Sequence, residues 1–246
     1  MLSVPINVVL LLRSIICFNQ MLRTLIDFLV PAECRLCGMP LPPGDASICG
    51  LCTAGMPRTG YHMRPDNSMA MRFAGRFPFE RAAGHFYYAP EAGISHLIQD
   101  FKYRGAESLA RELGAMVANE IGIYSYFDNI DVIMPVPLHW TKLIRRGYNQ
   151  TERLARGVSD VTGIPVSRDL KAFRPHRSQT RVSAEERLVN ADGIFRLDHP
   201  ESYAGKGILL MDDVCTTGAT LTSAADAVLA GVPDARISLL TLAVTV

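Results

Sequence analysis

The sequence predicts an α/β fold, a mostly parallel sheet flanked by helices, with a small N-terminal four-cysteine module. Three observations predict it. From about residue 80, apolar segments of strand length alternate with helical patterns, the order that builds parallel sheets through crossover helices. Several of those strands are apolar at consecutive positions, as strands buried on both faces are. Ahead of them, Cys34, Cys37, Cys49 and Cys52 form two Cys-x-x-Cys units. With 246 residues, 48% of them hydrophobic, the chain is long enough for a substantial domain plus a small module, and disorder is a minor theme. The expected division is an apolar, helical segment over 1–30, a four-cysteine module over 31–60 and the α/β domain over 80–246.

The opening "MLSVPINVVLLLRSIICF" is apolar, but no positive charge precedes the run, Arg13 interrupts it and no small-residue cleavage site follows. No membrane span is favoured, and Met21 offers a second start for a chain lacking this segment. "LRTLIDFLV" reads as a short amphipathic helix stopped by Pro31. In "CRLCGMPLPPGDASICGLC" each Cys-x-x-Cys unit can wrap two thiolates onto one ion. Four sulfurs at about 2.3 Å make a closed tetrahedral zinc site with no position left for chemistry, so the zinc is expected to be structural. Gly38 and Gly50 suit the tight turns such knuckles need. The intervening loop is short for this pattern, and two disulfides or an iron centre are the alternatives. Paired cysteines of this kind favour a reducing compartment, hence a cytoplasmic location. Cys17 stands apart as a buried thiol. The six histidines show no metal spacing with one another and read as surface or satisfied core positions.

Residues 53–79 lack sustained periodicity and read as a connection. "RAAGHFYYA" then reads as a strand and "GISHLIQDFKY" as a helix closed by Gly105. A second helix buries the stripe Leu109, Leu113, Val117 and Ile121. "DVIMPVP" is a strand, "NQTERLARGVSDVTG" a helix, "IPVS" a short strand and "GIFRL" a strand after a basic loop. "ILLMDDVCTTGAT" supplies the next strand, "ATLTSAADAVLAG" a helix, and "RISLLTLAVTV" a buried strand at the end. In such sheets ligands bind outside the carboxyl ends of the strands.

"ILLMDDVCTTGAT" (208–220) carries the chemistry. Ile208 to Met211 can be wholly buried, but two ionised carboxylates cannot follow them without large desolvation costs. Asp212 and Asp213 are therefore expected at the strand's mouth, their like charges answered by water, a metal-bound ligand or several hydroxyl donors. A sugar's vicinal hydroxyls would serve. Beyond them Thr216, Thr217, Gly218, Ala219 and Thr220 turn into a helix, where small side chains let backbone N–H groups converge on a phosphate at the helix N-terminus. Neither GxGxxG nor GxxxxGK[ST] is present. Diol-binding acids just before a monophosphate loop describe a ribose 5-phosphate; the bland alternative is an acidic turn and a Thr-capped helix. Cys215 is given no role.

A second half of the site follows "DVIMPVPLHWTKLIRRGYNQT". Pro135 and Pro137 stiffen the strand exit so that the amides after them, at Leu138 and beyond, are held in place. Arg145 and Arg146, near the start of the next helix, could meet a pyrophosphate through forked, charge-assisted bonds. The bland alternative is a solvated basic loop.

The order of residues in "ILLMDDVCTTGAT" resembles the phosphoribosyl pyrophosphate (PRPP) signature of the type I phosphoribosyltransferases. With "FKYRG" (101–105), "PVPL" (135–138), "RRGYNQ" (145–150) and "SQTRVSAEERLVNADGIF" (178–195), the chain from about Leu22 onward resembles more narrowly the ComF family. The resemblance implies that Asp212 and Asp213 bind the ribose hydroxyls and Thr216 to Thr220 the 5-phosphate. It implies also that Pro137, Leu138, Arg145 and Arg146 form the pyrophosphate loop, that magnesium accompanies PRPP, and that a zinc-ribbon-like module precedes the domain. It assigns closure over the reacting centre to part of 173–184, with Arg174, Arg177 and Arg181 as candidates to touch pyrophosphate or substrate phosphates; by spacing alone, Ser183 with Glu186 forms a capping box for a helix.

A formal net charge of +1 gives no global reason to bind nucleic acid, yet Lys142 to Arg187 holds eleven Lys or Arg against five Asp or Glu. Two readings follow. One is a PRPP-binding phosphoribosyltransferase-like protein acting on an unnamed acceptor, whose specificity lies around residues 53–104. The other, implied by the ComF resemblance, is a competence factor for DNA uptake that holds single-stranded DNA or competence proteins without turnover. A purely structural role would predict that neither ligand binds.

Overall fold

The computed structural model describes residues 32–42, 47–138, 140–172 and 194–245. The expectations for the N-terminal segment, Cys17, the loop with Arg174, Arg177 and Arg181, and the Ser183–Glu186 pair lie outside them. The chain divides into two compact units, Met1–Gly55 and Met56–Val246.

In the first unit, a turn at Gly38 (φ +70°) returns the chain so that Glu33 bridges Pro40 in antiparallel fashion. The amides of Cys34 and Gly38 bond to the carbonyls of Met39 and Cys34, each at 2.8 Å. Gly50 takes no such turn; it opens a short helix, α1 (Gly50–Gly55).

The second unit is built on four parallel strands: β1 (Arg81–Tyr88), β2 (Val132–Pro135), β5 (Gly207–Cys215) and β6 (Arg236–Thr245), in the order β1-β6-β5-β2. Residues Gly207 to Met211 of β5 and Ile237 to Val244 of β6 are buried without alternation, so both faces of the central strands are covered. Around the sheet lie α3 (Gly93–Tyr103), α4 (Glu107–Gly122), α6 (Gln150–Thr162) and α7 (Ala219–Gly231), with α3, α6 and α7 close to their sequence-predicted limits. Leu109, Leu113, Val117 and Ile121 are buried as their spacing predicts. At the crossing of α4 and α6, a Cβ on Gly114 would stand 2.1 Å from the carbonyl oxygen of Leu154, and one on Gly157 would stand 1.9 Å from that of Arg111. Only glycines allow the two backbones to touch there.

Four local readings change. "IPVS" forms a single parallel bridge, Ile133 to Val166. "GIFRL" yields β4 (Phe195–Leu197), which leaves the parallel sheet to pair antiparallel with the short strand β3 (Leu170–Ala172). Arg145 and Arg146 occupy the last turn of a separate helix, α5 (Trp140–Arg146), which ends at Gly147 (φ +80°); Asn149 then caps α6 by accepting from the Thr151 amide at 3.1 Å. Finally, part of the supposed connection belongs to the core. Asn67 caps α2 (Ser68–Met71), and Met69 within it and Phe73 just after it are fully buried. Phe73 meets the rings of Phe77 and Phe79 at 5.7 and 6.3 Å.

Among the histidines, His85 is a satisfied core residue. Its Nε2 lies 2.9 Å from Glu120, which also receives a forked bond from Arg58 at 2.6 Å on each oxygen. Burial lowers His85 to about 4, so the ring is neutral at neutral pH.

Candidate functional site

The site forms where β2 and β5 part. Their last paired residues are Pro135 and Met211, followed by one further bond, 2.8 Å, from the Val136 amide to the Met211 carbonyl. Pro137 has no N–H to continue the ladder, while β5 runs on beside β6 as far as Cys215. A cavity of about 380 Å³ opens between the diverging chains. Val136, Pro137 and Leu138 line it from one side and Asp212, Asp213 and Val214 from the other. Ala219, Thr220 and Ser223 approach from the start of α7, and Lys102, Lys142, Arg146 and Gln150 complete a polar wall.

The sequence leads one to expect both carboxylates at the strand's mouth, but Asp213 is buried. Burial is tolerable because two donors meet it. Lys102, in the last turn of α3, places Nζ 2.9 Å from Asp213 Oδ2, and the Gln150 side-chain amide donates to the same oxygen at 2.8 Å. Asp212 has a different environment. Its Oδ1 accepts from the Asp213 amide at 2.8 Å and from the Thr151 hydroxyl at 3.5 Å, with no cation at bonding distance among the described residues. Desolvation, reinforced by the neighbouring Asp213 charge, raises Asp212 to about 7.

The bend after the acids is held from beneath. Gly218 sits at φ +81°, in the left-handed region, and a Cβ there would meet the Phe73 ring at 2.8 Å. Arg72 donates to the carbonyls of Cys215, Thr216 and Thr245, tying the ends of β5 and β6 together. Thr216 and Thr217 are exposed, and the Thr217 hydroxyl accepts from the Ala219 amide at 3.4 Å. Of the sequence-predicted site residues, the cavity gathers Asp212, Asp213, Ala219, Thr220, Pro137, Leu138 and Arg146. Thr216, Thr217, Gly218 and Arg145 are not on its lining. The Arg145 and Arg146 guanidinium groups instead lie 5.5 and 5.1 Å from the centre of the exposed Tyr103 ring. Sequence reasoning assigned no role to Lys102 and Gln150, although both lie inside quoted motifs, "FKYRG" and "RRGYNQ".

In the first unit, the sulfurs of Cys34, Cys37, Cys49 and Cys52 lie within 4.8 Å of one another, and those of Cys37 and Cys49 are 3.7 Å apart. Tetrahedral zinc with bonds of about 2.3 Å separates its sulfurs by about 3.8 Å, so the cluster fits such an ion. The amides of Cys49 and Cys52 approach the sulfurs of Cys34 and Cys49 at 3.3 and 3.4 Å. Side-chain contacts with Cys49 and Cys37 push the Cys52 thiol up to about 12. The four cysteines form a cluster that could hold a metal such as zinc.

Among the described residues no helix is long and apolar enough to cross a membrane. No protein-family model matches the chain, but curated proteins do. DNA utilization protein YhgH of Escherichia coli (strain K12) is 29% identical over 218 residues, 81% of this chain and 92% of that protein. Competence protein F of Haemophilus influenzae is 30% identical over 133 residues, 52% of this chain and 58% of that one. Competence protein ComFC of Bacillus subtilis (strain 168) is 28% identical over 211 residues, 85% and 82% of the two chains. Among solved structures, adenine phosphoribosyltransferase from Leishmania tarentolae aligns with 77% of this chain and 94% of its own at 12% identity and a TM-score of 0.36, too slight a likeness for anything to rest on. The resemblance carried by the motifs is borne out by the curated relatives: the chain is a homologue of the ComF-type competence and DNA-utilization proteins.

Proposed function

We propose that the Met56–Val246 unit is a phosphoribosyltransferase-like domain that binds PRPP with magnesium in the Asp212–Asp213 cavity and transfers the phosphoribosyl group to an acceptor nucleophile. The observation that carries this reading is the composition of one cavity wall. A carboxylate with no cation at bonding distance among the described residues, the hydroxylated start of α7 and the cations Lys102, Lys142 and Arg146 face a single space of about 380 Å³. Sugar hydroxyls would donate to Asp212, a phosphate would take the Ala219–Thr220 end of α7, and Lys142 and Arg146 would meet the remaining negative charge. Asp212 offers the hard oxygen donor that suits magnesium, which when bound would neutralise phosphate charge and support departure of pyrophosphate. Catalysis by these residues would consist of positioning and of electrostatic stabilisation as charge moves onto the leaving group.

The four-cysteine cluster is assigned a structural zinc ion, and its free thiols suit a reducing, cytoplasmic setting. Calorimetry with PRPP and magnesium tests the main assignment. Binding is expected in the wild type and lost when Asp212→Asn and Asp213→Asn are combined; the same affinity in that double variant rejects the site.

One observation favours a second reading. The exposed Tyr103 ring, with the Arg145 and Arg146 guanidinium groups beside it, would offer bases a stacking face and phosphates two cations. With relatives named for competence and DNA utilization, it supports binding of single-stranded DNA, alone or beside competence proteins. A steep fall in oligonucleotide affinity between low and moderate salt is the expected signature, and a flat response eliminates it.

A further inference from the structure

Four side-chain polar atoms among the described residues are buried without a hydrogen-bond partner, and two of them belong to residues lining the Asp212–Asp213 cavity: Gln150 Oε1 and Arg146 Nε. The Gln150 assignment does not depend on a choice of amide orientation. Asp213 Oδ2, already 2.9 Å from the Lys102 ammonium, can only accept, so the group 2.8 Å away on Gln150 must be its NH2. The carbonyl oxygen is therefore the orphan, on a residue only 2% exposed.

A buried acceptor without a donor is costly, and a ligand that supplies the donor recovers that cost. A phosphate oxygen cannot do so; an O–H or N–H can. Arg146 Nε, a donor, requires the reverse, an acceptor such as a phosphate oxygen. One molecule that carries both a hydroxyl and a phosphate would supply both partners. We infer that Gln150 is a specificity-determining residue whose Oε1 accepts a hydrogen bond from one ring hydroxyl of the bound sugar phosphate, so that the site selects ribose over deoxyribose. This rests on the proposed sugar-phosphate reading. Within it, Asp213 is a positioning residue that holds the amide, and Gln150 touches the ligand.

The test measures affinity, with magnesium, for ribose 5-phosphate and its 2-deoxy and 3-deoxy analogues in three proteins. In the wild type, loss of the hydroxyl that Gln150 reads weakens binding by about tenfold beyond what Gln150→Leu retains, because a buried acceptor is left empty. In Gln150→Leu that penalty shrinks by about the same factor for one of the two positions and stays unchanged for the other. Lys102→Met, which removes the other partner of Asp213 but leaves Oε1 in place, weakens all three sugars by one common factor. Equal deoxy penalties in wild type and Gln150→Leu overturn the inference and leave the sugar-phosphate site standing. Erasure of the penalty by Lys102→Met as well overturns it too, since selection would then run through the position of Asp213. Failure of the wild type to bind any of the three overturns the site and the inference together.

Discussion

Replacing Gly218 by alanine places a methyl group that both the backbone and a neighbouring ring oppose. With φ at +81° the residue lies in the left-handed region, where a Cβ costs about 1–2 kcal/mol. The added carbon would stand 2.8 Å from Phe73 Cε1 and 3.0 Å from Cζ, well inside the roughly 3.5 Å at which carbons pack without repulsion. Phe73 is fully buried and wedged against Phe77 and Phe79, so it has no free direction in which to yield. Overpacking of this kind adds about 1–3 kcal/mol, and the expected total is about 2–5 kcal/mol. Urea unfolding of Gly218→Ala measures it. A cycle with Phe73→Leu separates the two contributions: in the Leu background only the backbone cost, about 1–2 kcal/mol, should remain. A cost for Gly218→Ala under about 0.5 kcal/mol, below any left-handed penalty, would show that neither the backbone nor the ring opposes the methyl group, and one that is the same whether or not the Phe73 ring is present would show that the ring does not.

Further expectations follow from the same contacts. Lys102→Met leaves the buried Asp213 without its cation and should cost roughly 3 kcal/mol in urea unfolding, with much of it restored when Asp213→Asn is added. Asp212, raised to about 7 in the folded, ligand-free protein, binds a proton there that the unfolded chain sheds near pH 4. Its contribution to stability is therefore full below about pH 4 and lost as pH rises towards 7, so the melting temperature of Asp212→Asn should gain on the wild type across that window and hold its lead above it. Cys34→Ser should abolish a zinc content of about one ion per chain, measured by atomic emission on protein purified without chelator, because three thiolates no longer close the tetrahedral cluster.

How much of this was legible in the sequence depends on whether the signal was local. The buried strands β5 and β6 and the stripe of α4 announce themselves through runs and periods that any sheet or helix of their kind must show. Three-residue strands carry no period, which is why "GIFRL" could be read as a strand but not assigned away from the parallel sheet. Residues 68–79 were opaque for a related reason. Their buried side chains, Met69, Phe73 and Phe77, hang from a single helical turn and the irregular chain after it, so their spacing matches no template. In the candidate site, the acids and the hydroxylated bend are consecutive in sequence, so a local pattern can point to them. The Lys102 and Gln150 contacts to Asp213 arise only when three separate elements converge, and no spacing along the chain encodes that meeting.

That convergence makes two adjacent, chemically identical residues unequal. The ammonium of Lys102 and the amide of Gln150 both reach Asp213, so its charge is answered inside the protein whatever the cavity holds. Asp212 is left with an amide, a distant hydroxyl and a like charge beside it, and desolvation together with that charge raises it to about 7. A group in that position is the one whose protonation responds to a newcomer: a dication or several hydroxyl donors favour the carboxylate, and ligand binding near pH 7 should release a proton from Asp212. Calorimetry in buffers of different ionisation enthalpy reads that proton directly. A binding enthalpy independent of buffer at pH 6.5 would mean that Asp212 is already ionised in the empty cavity, and that the Lys102–Gln150 pair does not divide the two acids as the geometry requires.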